Sequence, residues 1–189
     1  MPEKLFLIDG SALYYRSYFA FIRNPLINSK GEDTSATFGF LSSMTKLIED
    51  EKPEYLAVIF DTKEPTFRHE IYPEYKATRE KMPEEMAAQF PRLIDTLRRL
   101  NFVLLDKAGY EADDIIGTLS SKYAGKNLHV YIVSGDKDMA QLVNEHVFLY
   151  SLGKSDQASE VLNRDKVIEK MGIKPEQVVD WLALMGDSS

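Results

Sequence analysis

The stretch Gly109-Tyr110-Glu111-Ala112-Asp113-Asp114 places three carboxylates within four residues, at a point where a helix is expected to begin. The apolar residues that follow recur at helical spacing: Ala112, Ile116, Leu119 and Tyr123. At that spacing Glu111 and Asp114 project from nearly the same side of the helix. Carboxylates this close repel one another, so the stretch predicts a bound cation. The alternative is that these acids only complement the dipole of the helix.

Composition limits the protein class. The 189 residues are enough for one substantial domain, and 44% hydrophobic with 28% charged residues is ordinary for a globular protein. The absence of cysteine excludes disulfides, thiolate metal sites and a cysteine nucleophile. No signal-peptide core or membrane-length apolar stretch occurs, so we expect a soluble, cytoplasmic protein without a membrane partner. The net charge of -7 argues against nucleic-acid binding unless many of the acids hold metal ions.

Apolar runs alternate with helical patterns along the chain. The runs expected to form buried strands are residues 5–8, 55–60, 102–105 and 129–133. Residues 147–150 read as an edge strand, and Val161 and Leu162 with Asn163 as the start of a further helical unit. Strands alternating with helices predict an α/β domain with a mainly parallel central sheet and helices on both faces.

Acidic residues follow these strands. Asp9, Asp61 and the pair Asp136 and Asp138 come directly after strands, at the sheet edge where α/β proteins bind ligands. Eight carboxylates could share one pocket: Asp9, Asp61, Glu111, Asp113, Asp114, Asp136, Asp138 and Asp187. Oxygen ligands favour Mg²⁺ or Mn²⁺ over zinc, and eight are too many for one ion. Two or more ions are typical of phosphodiester hydrolysis. For any single aspartate, helix capping remains the alternative.

Other residues suggest weaker hypotheses. Residues 62–83 lose apolar periodicity and read as an exposed insertion. Lys76 and Arg79 would share a face if this stretch were helical, and Tyr72 and Tyr75 have the same spacing, a combination that could hold a phosphate and stack a base. A solvated loop is the alternative, because glutamates offset its basic residues. The histidines His69, His129 and His146 lack ligand spacing and are expected to have structural or surface roles. The aromatics Tyr14, Tyr15, Tyr18 and Phe19 are expected to lie in the core, with a base-stacking platform as the alternative.

Together these motifs resemble the 5′ nuclease domain found at the N-terminus of bacterial DNA polymerase I, in the flap endonuclease and PIN-like superfamily. The resemblance covers essentially the whole chain. Its motifs are Leu7-Ile8-Asp9-Gly10, Phe60-Asp61, Phe67-Arg68-His69 with Tyr75-Lys76-Ala77-Thr78-Arg79, the stretch 109–114, Ser134-Gly135-Asp136-Lys137-Asp138, and Gly186-Asp187-Ser188-Ser189.

The resemblance implies a two-metal 5′ nuclease acting on DNA with a 5′ flap or nick, or on an RNA–DNA primer junction, in replication and repair. It implies that the eight carboxylates bind Mg²⁺ or Mn²⁺, with Asp9 and Asp114 among the catalytic residues. It places Lys76 and Arg79 in a helical arch formed by residues 62–83, where they meet the scissile phosphate. The implied DNA contacts are Thr34, Phe40, Arg68, Tyr72, Tyr75, Lys76 and Arg79.

The family pattern continues beyond Ser189 with another Asp and Asn and a helix-hairpin-helix module that grips duplex DNA. We therefore expect residues 1–189 to be one catalytic domain of a longer protein that could carry a polymerase and lie at the bacterial nucleoid. One alternative is a DNA- and metal-binding fragment that cleaves weakly or not at all because it stops at Ser189. Another is a small-molecule phosphatase, whose usual Asp-x-Asp start is not met because Ser11 follows Gly10.

Overall fold

A six-stranded sheet organises the computed structural model, which describes residues 2–153 and 158–186. The strands are β1 Glu3–Asp9, β2 Tyr55–Ile59, β3 Val103–Leu105, β4 Leu128–Val133, β5 Val147–Ser151 and β6 Glu160–Leu162. Their order across the sheet is β3-β2-β1-β4-β5-β6. All neighbouring pairs are parallel except β5 and β6, which run antiparallel. The carboxyl ends of five strands therefore meet at one edge.

Helices cover both faces of this sheet. The α-helices are α1 Gly10–Ala20, α2 Ser35–Glu51, α3 Phe67–Ile71, α4 Glu84–Arg99, α5 Ala112–Tyr123, α6 Arg164–Met171 and α7 Val178–Met185. Two short 3-10 helices span Lys137–Leu142 and Pro175–Gln177. Among the described residues no helix is long and apolar enough to cross a membrane.

The central strand β1 is buried on both sides because its side chains alternate between the two faces. Phe6 and Ile8 belong to a core shared with α1, α2 and α4, whereas Leu7 belongs to a second core shared with α5, α6 and α7. Each of these three side chains is at most 1% exposed. This two-sided burial confirms the predicted α/β architecture and explains why β1 is an uninterrupted apolar run.

The structure corrects two local predictions. Val161 and Leu162 form strand β6, where Leu162 pairs with Leu149, so β5 is not the edge of the sheet. Such a short apolar pair has no periodicity that could separate strand from helix.

Within residues 62–83 only α3 is helical, and the backbone then passes through successive turns, with Lys76 at a φ of 56°. Residues 76–79 are therefore not helical, and Lys76 and Arg79 do not share a helical face.

The aromatic residues of α1 divide between core and surface. Tyr14 is 1% exposed, and its hydroxyl donates a hydrogen bond to the carbonyl of Met86 at 2.7 Å. Tyr15 and Phe19 are 36% and 50% exposed, so the expected core role applies to Tyr14 and not to them.

His129 and His146 stack with their ring centroids 5.7 Å apart, on a part of the sheet remote from its carboxyl edge.

Candidate functional site

Asp9 lies where β1 ends and α1 begins, and both of its carboxylate oxygens accept hydrogen bonds. The backbone N–H of Ala12 donates to Oδ1 at 2.9 Å, which caps α1. The hydroxyl of Ser134, just after β4, donates to Oδ2 at 2.9 Å. Asp9 is only 5% exposed, and burial raises its pKa, with further increases from the charges of Asp61 and Asp136. The side chain is therefore buried, oriented by two donors and surrounded by like charge.

Asp61 connects the end of β2 to two other elements. Its Oδ1 accepts a hydrogen bond from the backbone N–H of Ala112 at 2.8 Å, at the start of α5. Its own backbone N–H donates to Ser11 Oγ in α1 at 3.1 Å. These bonds place Asp61 beside the acidic first turn of α5.

Asp113 lies in the first turn of α5, and the charges of four other carboxylates act on it. Its pKa is raised to about 7, first by burial and then by the charges of Asp9, Asp136, Asp61 and Glu111. Hydrogen bonds link the ends of β1 and β4 through Ser134, and the segment after β2 to the start of α5 through Asp61. Acids from these four segments thus lie near one another, as the strand-end positions led us to expect. Repulsion of this kind is relieved by a bound cation.

The segment after β4 contributes Asp136 and Asp138. Asp136 Oδ1 accepts a hydrogen bond from the backbone N–H of Asp138 at 2.9 Å and caps the 3-10 helix Lys137–Leu142. The backbone N–H of Asp136 donates to Ser134 Oγ at 3.1 Å. A metal-binding role for Asp138 stays a prediction, and Asp187 lies outside the described residues.

Asp114 and Glu111 have cationic partners instead. Arg68 donates to both oxygens of Asp114 at 2.8 Å, and this pair lowers the pKa of Asp114 and raises that of Arg68. Glu111 is 8% exposed and accepts hydrogen bonds from Lys76 Nζ at 2.9 Å and from the hydroxyl of Tyr75 at 3.1 Å. Both acids therefore face the segment 62–83.

As the side chains stand, no three acidic or histidine side chains in the described parts of the chain are arranged to hold a metal ion. The donor chemistry nevertheless fits a hard divalent cation, because Asp9, Asp61, Asp113 and Asp136 form an all-oxygen group in which Asp113 is destabilised by its neighbours' charge. Those four residues would hold the ion. Glu111 and Asp114 could join them only after giving up Arg68 and Lys76.

The residues expected to contact DNA occupy different environments. Arg79 is exposed, and in the ranges 2–153 and 158–186 its guanidinium has no hydrogen-bond or ion-pair partner. Tyr72 is 55% exposed, and its hydroxyl donates to Glu74 Oε2 at 3.0 Å. Arg68, Tyr75 and Lys76 instead bond to the acids of α5.

Residues 34–40, at the start of α2, give one correction. Phe40 is 0% exposed and stacks on Phe60 with ring centroids 6.2 Å apart, so the prediction that it contacts DNA is wrong. An apolar side chain on the inner face of a helix stays in the core. Thr34 precedes α2 and is partly exposed, with Oγ1 donating to the carbonyl of Leu26 at 2.9 Å, so its DNA contact stays a prediction.

Two hydroxyls of the site were missed by the sequence analysis. Ser134 bridges Asp9 and the backbone of Asp136, and Ser11 accepts from the backbone of Asp61. Each lies two residues from an aspartate of the site, in the motifs Asp9-Gly10-Ser11 and Ser134-Gly135-Asp136. That proximity is a usable signal, since a hydroxyl near a strand-end carboxylate can orient it.

Comparison with solved structures defines the class of fold. A structure of the T5 5′-exonuclease with zinc ions bound superposes with a TM-score of 0.73 at 24% identity, covering 98% of this chain and 67% of that one. The chain thus has the fold of the PIN-like 5′ nucleases, a mainly parallel sheet with helices on both faces.

Sequence comparison then gives the family. Residues 4–172 match the 5′-3′ exonuclease N-terminal resolvase-like domain, and the chain belongs to that family. It is 42% identical to a 5′-3′ exonuclease of Aquifex aeolicus, over 98% of this chain and 62% of that protein. It is 40% identical to DNA polymerase I of Bacillus subtilis, over 99% of this chain and 21% of that protein. The chain therefore spans less than two thirds of these relatives.

Proposed function

We propose that this chain is the catalytic domain of a metal-dependent 5′ nuclease that hydrolyses phosphodiester bonds in branched DNA. The proposed substrates are 5′ flaps, nicks and RNA–DNA primer junctions, and the proposed cofactors are two or more Mg²⁺ or Mn²⁺ ions. Family membership supports the reaction class. A role in replication and repair, in the bacterial cytoplasm and with a polymerase as partner domain, is part of the same proposal.

One observation carries this proposal: carboxylates from four separate segments converge at the carboxyl edge of the sheet. Helix capping explains individual bonds, such as that from Ala12 to Asp9, but it gives no reason for Asp113 to lie among four other acids. A site that gathers anionic oxygens at the cost of mutual repulsion is typical of one built for divalent cations.

The residues of the chain have distinct roles in this proposal. Divalent ions, when bound, lower the pKa of the attacking water and stabilise charge on the leaving oxygen. Asp9, Asp61, Asp113 and Asp136 would hold the ions, and the donors on Asp9 keep its two oxygens in place. Arg79 would bind a substrate phosphate, and its exposure, with no side-chain partner among the described residues, supports this role.

The test is cleavage of a 5′-labelled flap oligonucleotide with Mg²⁺, with EDTA, and by the variant Asp9→Asn. Asparagine keeps the size of the side chain and can still cap α1 through its oxygen, so the change removes charge with little effect on the fold. We expect Asp9→Asn to lose at least about 100-fold in rate, equivalent to about 2.7 kcal/mol. The matched control is Asp95→Asn, since Asp95 is 62% exposed on α4, where its ion-pair partner among the described residues is Arg99.

Undiminished cleavage by Asp9→Asn would contradict the site assignment. Flap binding measured by fluorescence anisotropy, without cleavage by the parent chain, would favour a DNA-binding function. Hydrolysis of a nucleoside monophosphate in preference to the flap would favour a small-molecule phosphatase.

A further inference from the structure

We infer that Arg68, Tyr75 and Lys76 form a latch that closes the segment 62–83 onto α5, and that binding of a divalent cation at the carboxylates releases it. This inference rests on the proposed function, because it takes the carboxylates as a divalent-cation site, and it adds Glu111 and Asp114 to the ligands once Arg68 and Lys76 leave them. It adds a coupling between the metal site and the position of the segment that carries Lys76 and Arg79.

The first half of the latch is the pair between Arg68 and Asp114. Arg68 Nη1 donates to Oδ2 and Nη2 to Oδ1, each at 2.8 Å, so both oxygens of Asp114 are occupied. Oδ2 also accepts the backbone N–H of Glu111 at 2.9 Å. The side chains of Arg68 and Asp114 are only 30% and 22% exposed, so solvent screens their attraction less than at an open surface.

The second half of the latch is centred on Glu111. Lys76 Nζ donates to Oε1 at 2.9 Å and the hydroxyl of Tyr75 donates to Oε2 at 3.1 Å, while Arg68 Nη1 lies 3.6 Å from the same Oε2. The side chain of Glu111 is 11% exposed. Every carboxylate oxygen of Glu111 and Asp114 thus has a donor from the segment 62–83.

A cation that takes these oxygens has to displace those donors. A carboxylate held by a guanidinium or an ammonium has its charge neutralised by that partner, and it gains little from a metal ion until the partner leaves. The latch and the ion therefore compete for Glu111 and Asp114. Competition of this kind is reciprocal: the factor by which the latch weakens metal binding equals the factor by which the metal weakens the latch.

The backbone of the segment shows which part would move. Phe67 is attached independently, because its N–H donates to the carbonyl of Gly109 at 3.1 Å and its ring contacts Tyr110 with centroids 5.8 Å apart. Beyond it, residues 72–79 form turns closed by their own hydrogen bonds, and Lys76 has a left-handed φ of 56° that lysine rarely adopts. Release would free the turns while Phe67 stays in place.

The test combines metal binding with hydrogen exchange and needs no DNA. The parent, Arg68→Met and Lys76→Met are titrated with Mn²⁺ by calorimetry, and we expect both variants to bind about 5-fold more tightly or better. Tyr75→Phe should give a smaller increase, since it removes one neutral hydrogen bond. Arg99→Met is the matched control, because Arg99 forms an exposed pair with Asp95 on α4, and its Mn²⁺ affinity should equal that of the parent.

Mass spectrometry then follows amide exchange in residues 67–79 of the parent. We expect saturating Mg²⁺ to speed exchange there, and Arg68→Met to show fast exchange already in EDTA. Weaker Mn²⁺ binding by both variants would overturn the latch. It would mean that Arg68 and Lys76 orient the carboxylates for the ion instead of competing with it. Exchange unchanged by Mg²⁺, with flap cleavage intact, would overturn the latch and leave the proposed function standing. No Mn²⁺ binding by the parent would overturn both.

Discussion

The hydroxyl of Ser134 donates a hydrogen bond to Asp9 Oδ2 at 2.9 Å and so joins the carboxyl ends of β4 and β1. Ser134 Oγ in turn accepts a hydrogen bond from the backbone N–H of Asp136 at 3.1 Å. One side chain therefore orients a buried carboxylate and the start of the next acidic turn. This arrangement makes Ser134 a residue that positions the site without being one of its charged members.

Replacing Ser134 by alanine leaves Asp9 Oδ2 buried without its donor. We expect Ser134→Ala to lower the free energy of unfolding in EDTA by about 1–3 kcal/mol, measured with urea. Ser134→Thr keeps the hydroxyl and should restore most of the loss. The control is Ser43→Ala on α2, where the hydroxyl donates to the carbonyl of Gly39 in its own helix, and we expect a change within about 0.5 kcal/mol. Equal effects of Ser134→Ala and Ser43→Ala would refute the positioning role.

Asp113 should make the chain less stable when no metal is bound. Because other carboxylates surround it, Asp113→Asn removes repulsion, and in EDTA at pH 8 we expect its melting temperature to exceed the parent's by about 2–4 °C. Mg²⁺ should raise the melting temperature of the parent and leave that of the variant nearly unchanged. Calorimetry of both proteins checks this, with Asp95→Asn as the control. A variant less stable than the parent in EDTA would contradict the repulsion.

Gly10 has no room for a side chain. A Cβ there would lie 2.6 Å from Phe60 Cε1 and 2.8 Å from Val58 Cγ1, so we expect Gly10→Ala to cost about 1–3 kcal/mol and to disturb the adjacent Asp9. Gly117 in α5 is the matched control, since its nearest neighbour would be Leu142 Cδ2 at 3.7 Å. Gly117→Ala should stabilise the helix by about 0.5–1 kcal/mol. Urea unfolding of the two variants should therefore give opposite signs.

We expect His129 to make the stability of the fold depend on pH. Burial, and then the neighbouring His146, lower the pKa of His129, so the unfolded chain takes up a proton before the folded chain does. Stability should fall as the pH drops from about 6.5 toward the lower pKa of the folded state, and it is unaffected by this group above that range. His129→Phe keeps a ring against Phe148, whose centroid is 5.2 Å away, and removes the titration.

Urea unfolding of the parent and of His129→Phe at pH 5.5 and pH 8 checks this dependence. The loss of stability between the two pH values should be smaller in the variant. An equal loss in both proteins would assign the pH dependence to other groups.

Part of the fold and of the site could be predicted because the signals are local. The apolar run of β1, the helical period after Ala112 and the strand-end positions of Asp9 and Asp61 follow from spacing along the chain. Parallel pairing then brings strand ends to one edge, so the meeting of Asp9, Asp61, Asp113 and Asp136 could be expected. The resemblance predicts a DNA contact for Phe40, but the helical period of α2 places its side chain in the core.

The sequence by itself determined the α/β architecture, the family and the edge of the sheet at which the acids gather, since these depend on periodicity and on residues close in the chain. Only the tertiary structure decided which acids have cationic partners. The pair Arg68 and Asp114 is separated by 46 residues and Lys76 and Glu111 by 35, and no spacing rule relates them. Those contacts depend on how the segment 62–83 packs against α5. The stretch from Gly109 to Asp114 predicts a site for cations, and the fold pairs two of its acids with an arginine and a lysine of the same chain.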